Sequence, residues 1–105
     1  MKKEEINALC ADAVKQWGFY AQVNIAIEEM AELTVALEHF RRGRATMEEV
    51  QTEIADVTIC CLQLVQMFGE EGCNDQFAYK LERLKQRLEE SKQNEKEKSV
   101  PQDGA

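Results

Sequence analysis

Apolar side chains recur at i, i+3, i+4 and i+7 spacing from Ile6 to Leu88, in stretches broken by glycines at 18, 43, 69 and 72. That period puts a stripe on one side of a helix, whereas a strand needs alternation every second residue. The first stretch, Lys3 to Trp17, aligns Ile6, Leu9, Cys10, Ala13 and Trp17 and stops at Gly18. The second, Tyr20 to Arg42, aligns Val23, Ala26, Ile27, Met30, Leu33, Leu37 and Phe40, and Gly43 ends it. Arg41 and Arg42 suit the negative end of that helix dipole. Thr46 followed by Glu49 reads as a capping box opening a third helix to Phe68, through Val50, Ile54, Val57, Cys61, Leu64 and Val65. Gly69 and Gly72 flank an expected turn, and Asn74 or Asp75 is the expected cap of a fourth helix. Phe77, Leu81, Leu84 and Leu88 carry that helix to about Glu90. Five glycines and a single proline, Pro101, agree with an all-α class. The expected organisation is one helical domain over residues 1–90 and a polar, disordered tail over 91–105.

Other classes lose ground on composition. Thirteen basic against twenty acidic side chains leave a net charge of −7, which disfavours nucleic-acid binding, since phosphate contacts run on clustered Lys and Arg. The sequence holds no apolar run of membrane-spanning length, so no membrane partner is expected. Its Met-Lys-Lys-Glu-Glu opening lacks a signal peptide's apolar centre, and a cytoplasmic location is expected. Cys10, Cys60, Cys61 and Cys73 form no CxxC and have no histidine at zinc-ligand spacing. They read as reduced packing residues, and the lone His39 as structural.

The connection between the second and third helices is short, about three residues, which predicts antiparallel neighbours. Each carries an acidic pair at i, i+3 beside its apolar stripe, Glu29 with Glu32 and Glu53 with Asp56. Counted from the turn near Arg44, Glu32 lies 12 residues before and Asp56 12 after, so the pairs share one height along the hairpin. Four facing carboxylates repel and raise one another's pKa. A divalent cation resolves that conflict, and oxygen-only ligation favours Mg2+ or Mn2+ over zinc.

Glu28-Glu29-Met30-Ala31-Glu32, a twenty-residue spacer and Glu53-Ile54-Ala55-Asp56 resemble the EExxE…ExxD signature of the MazG-like nucleotide pyrophosphohydrolases. Trp17-Gly18 before the first motif and Tyr79-Lys80-Leu81-Glu82-Arg83-Leu84 on the fourth helix extend the resemblance over roughly residues 15 to 90. The resemblance implies a four-helix fold centred on the hairpin, and cleavage of a nucleoside triphosphate to monophosphate and pyrophosphate. It further implies Glu29, Glu32, Glu53 and Asp56 as metal ligands, and Glu28 as a water-activating or supporting carboxylate. Lys80 and Arg83 correspond to phosphate-contacting residues, while Trp17, Gln22 and Asn24 are candidates for nucleobase recognition. Gln63 and Ala78 stand where many relatives of this kind carry asparagine, which bears on nucleotide preference and turnover. The alternative reading is a catalytically weak helical module that binds nucleotide or a protein partner. The hairpin's apolar surface exceeds what the outer helices cover, so a homodimer or homotetramer is expected to complete the core.

Overall fold

The computed structural model describes residues 1–99, with side chains through Lys98. Four helices account for nearly all of them: α1 (Lys3–Trp17), α2 (Phe19–Arg41), α3 (Met47–Phe68) and α4 (Glu70–Ser99). There is no strand among the described residues. The chain divides into two compact units, Met1–Glu70 and the part from Glu71 onward.

In the first unit α2 packs principally on α3, and α1 packs on α3 and, less extensively, on α2. The breaks follow from local chemistry. Gly18 sits at φ 98° and is the single residue between α1 and α2; its N–H donates to the Val14 carbonyl and its own carbonyl accepts from Gln22 N–H. That backbone region is open to glycine and strained for residues with a Cβ. Residues 42–46 join α2 to α3, slightly longer than expected, with the Arg44 N–H held by the His39 carbonyl at 2.7 Å. Thr46 Oγ1 accepts from Glu49 N–H at 3.1 Å, and Glu49 Oε2 accepts from Thr46 N–H at 2.9 Å, completing the capping box. At the other end Phe19, opening α2, meets Phe68, closing α3, at 5.2 Å between ring centroids. The two helices therefore run antiparallel.

The second unit departs from the sequence reading at both ends. Helix α4 begins at Glu70, directly after Gly69, and takes Gly72, Asn74 and Asp75 into its body. One internal glycine costs only about 1 kcal/mol, and Glu70 and Glu71 suit a helix start. At its far end the helix passes the expected stop at Glu90 and reaches Ser99, so residues 91–99 are helical, not disordered. No glycine or proline interrupts Ser91–Ser99, Glu, Lys and Gln favour the helix, and Gln93 Nε2 donates to Glu97 Oε1 one turn on. The remaining tail residues, 100–105, lie outside the described residues.

Burial is thinner than the stripes predict. Cys10, Ala26, Val50, Cys60 and Gln22 are buried among the described residues. Ile6, Ala13, Val23, Leu33, Val57, Leu64 and Val65 are half-buried. Leu9, Trp17, Ile27, Met30, Leu37, Phe40, Ile54 and Phe68 belong to the same stripes yet are exposed, as are Phe77, Leu81, Leu84 and Leu88 on α4. Periodicity marks the face a helix offers for burial; covering it needs another surface. No helix among the described residues is long and apolar enough to cross a membrane.

The capping box generates a stability prediction. Thr46→Ala removes the acceptor for Glu49 N–H and should destabilise the fold by about 1 kcal/mol in urea unfolding. A midpoint and slope unchanged from the parent would contradict that role for Thr46.

Candidate metal and ligand site

Helix spacing brings the acidic residues to one place. Glu29 projects from the middle of α2, and Glu53 and Asp56 from α3 one turn apart, so that one carboxylate oxygen of each lies within 4.8 Å of the others. Oxygens on opposite sides of a single Mg2+ are about 4.2 Å apart, given bonds near 2.1 Å, so a small closure of these side chains fits the ion. Glu29 and Glu53 are half-buried, and the Oε2 atom of each is sealed from solvent with no hydrogen-bond partner. A carboxylate oxygen left without solvent or donor is costly, and a cation is the simplest partner that removes the cost. The acids thus do not project separately into bulk water.

Glu32 stands just outside that trio and is exposed. It still acts on Glu29, whose carboxyl is pushed above the ordinary glutamate range near 4.5. Burial is the main cause, followed by the negative charges of Glu32, Asp56 and Glu53. Cys60, one turn beyond Asp56, is buried beside them; burial raises its thiol pKa, with Glu29, Cys61 and Asp56 adding to the rise. A thiol so disposed stays protonated and leaves ligation to oxygen. All four cysteines carry free thiols.

Two open grooves flank the acids along the hairpin. Toward the Phe19–Phe68 end, a groove of about 370 Å³ carries Glu29, Asp56 and Cys60 together with Trp17, Ile25, Ile59, Gln22 and Gln63. Gln22, which lines this groove, is only 3 % exposed as a residue. Toward the hairpin turn, a groove of about 550 Å³ carries Glu32 and Glu53 and is bordered by His39, Arg44 and Ala45.

Of the nucleobase candidates, Trp17 and Gln22 line the first groove, whereas Asn24 is exposed and lines neither. Trp17 is 64 % exposed, which leaves its ring face open. Glu28 is exposed beside Glu29 and is not among the three converging ligands. Lys80 and Arg83 stand exposed on α4, in the second unit, with Lys80 Nζ 5.9 Å from the ring centre of Tyr79. Arg44 and the apolar walls Ile25 and Ile59 escaped the sequence reading. A charged residue in a turn has no periodic position to betray its direction, and Ile25 and Ile59 fall outside the i, i+3, i+4, i+7 stripes.

No protein-family model, curated protein or solved structure matches the chain.

Glu29 makes the stability of the metal-free protein depend on pH. Its folded pKa is raised, so the native state binds more protons than the unfolded state between the ordinary value and the raised one. Stability should therefore fall as pH rises from about 4.5 through that window, and be retained below it. Glu29→Gln should flatten the fall in thermal melts without metal. Magnesium or manganese should raise the melting temperature of the parent more at neutral pH than in mild acid. Equal slopes for parent and variant would refute this account of the carboxylate.

Proposed function

We propose that the chain is a magnesium-dependent nucleoside triphosphate pyrophosphohydrolase, converting a (d)NTP to the monophosphate and pyrophosphate. The observation that carries the reading is the convergence of Glu29, Glu53 and Asp56 with two buried carboxylate oxygens that have no partner. The MazG-like signature on α2 and α3 supplies the substrate class, as a resemblance in the residues.

In this reading Glu29, Glu53 and Asp56, with Glu32 beside them, would hold the cation. Mg2+, or Mn2+ in its place, would supply neutralisation of phosphate charge and a lowered pKa for a water bound to it. Glu28, exposed next to Glu29 in the chain, would be the water-activating or supporting carboxylate that the resemblance implies. The water oxygen bonds to the α-phosphorus while the bond from that phosphorus to the bridging oxygen breaks, and the electron pair leaves with pyrophosphate. Trp17 offers a ring face to the base, and the Gln22 and Gln63 amides offer hydrogen bonds, which suits the groove they line.

The fold reading follows from exposure. The apolar side chains left open on α2 and α3 support a MazG-like arrangement in which a second copy covers the central hairpin, giving a homodimer or homotetramer. Light scattering should return at least twice the chain mass of 12.0 kDa. A monomeric mass would overturn it.

Purified protein with magnesium and a panel of ribo- and deoxynucleoside triphosphates should release pyrophosphate. Glu53→Gln or Asp56→Asn should lower turnover by about a hundredfold or more, beyond the 10–100-fold usual for residues that merely support ligands. Absence of pyrophosphate from every nucleotide, or unchanged rates in both variants, would leave only a helical binding or regulatory module.

A further inference from the structure

The groove on the turn side is bordered by Arg44 and His39, and Arg44 differs from its neighbouring arginines in what it touches. Arg41 and Arg42 both lean on Glu38, at 2.8 and 3.9 Å. Arg44 has no ion-pair partner among the described residues and lines the groove, as does His39. The two are tied together, since the Arg44 N–H donates to the His39 carbonyl at 2.7 Å. The opposite part of the groove is bounded by Glu32 and Glu53. Glu49, also in its wall, has Oε2 engaged by the Thr46 backbone N–H. The groove therefore pairs acids suited to a cation with an uncommitted guanidinium and an imidazole. A lone anion would be repelled at one border and a lone cation at the other. A metal-bound polyphosphate satisfies both, because the cation meets the acids while the outlying phosphate oxygens meet Arg44 and His39.

We propose that Arg44 and His39 form the seat for the two outer phosphates of the triphosphate, which leave as pyrophosphate. The proposal rests on the pyrophosphohydrolase reading and gives the substrate a direction along the hairpin. The nucleoside lies in the Trp17–Gln22 groove, the α-phosphate lies at the carboxylates, and the leaving group points to the turn. Arg44 binds through paired N–H donors to phosphate oxygens, and His39 adds one ring N–H.

The test is titration calorimetry of magnesium pyrophosphate into the full chain, alongside nucleotide turnover. The parent should bind, and Arg44→Met should weaken binding about tenfold or more, the usual scale for a lost charged hydrogen-bond pair. His39→Gln should weaken it less. Arg41→Met, which removes the same charge from a side chain held by Glu38, should leave binding within about twofold. Arg44 and His39 are exposed, and circular dichroism will show whether the helices persist in each variant. Failure of the parent to bind magnesium pyrophosphate overturns the proposal. So does unchanged binding in Arg44→Met, or an equal loss in Arg41→Met. The enzyme reading is judged separately: Arg44-dependent pyrophosphate binding without turnover keeps the seat and removes the enzyme. Turnover with an unaltered KM and unaltered pyrophosphate binding in Arg44→Met does the reverse.

Discussion

Like charges forced together at the α2–α3 interface are the constraint around which the first unit is arranged. Glu29, Glu53 and Asp56 would separate if the side chains alone decided, but the helices that carry them are fixed by the turn at 42–46 and by the Phe19–Phe68 contact at the far end. The cost is visible in the two buried oxygens without partners and in the raised Glu29 carboxyl. Such a site holds unfavourable interaction that a bound cation would relieve. Stability and any such binding would therefore be coupled through the same few atoms.

The neighbours of the acids give that coupling its chemical bias. Cys60 is close enough to feel Glu29 and Asp56, yet its burial keeps the proton on sulfur. The Glu49 carboxylate is occupied at the start of α3 and does not join the cluster. What remains is an oxygen donor set flanked by an amide-lined groove on one side and a cationic border on the other. The amide side suits a neutral heterocycle, and the cationic side suits extra negative charge.

Much of this was legible in the residues. The helix bounds follow from glycines that admit positive φ at 18, 43 and 69, and the α3 start from a threonine and glutamate three residues apart. Counting along an antiparallel pair put the two acidic pairs at one height, and Glu29, Glu53 and Asp56 do meet there, while Glu32, which the count set level with Asp56, stands outside the trio. The α4 bounds were misjudged because Gly72 and the capping-type residues Asn74 and Asp75 are weak signals that a helix can absorb, and because a polar segment without breakers can remain helical. Exposure of Ile27, Leu37 and Phe40 was not legible, since a stripe records what a helix can bury and not whether anything covers it. The direction of Arg44 depends on the turn's backbone, which periodicity does not describe.

The short junction between α2 and α3 has an evolutionary corollary. Because the acids meet through residue count on two continuous helices, the arrangement is sensitive to length in a way that single substitutions do not reveal. One residue inserted into α3 between Val50 and Glu53 would turn both downstream acids by about 100° and advance them about 1.5 Å relative to the cap. Every acid would still be present in such a descendant. Change in length, ahead of change in residue type, is the route by which a lineage could retain this helical scaffold and lose the convergence of its acids.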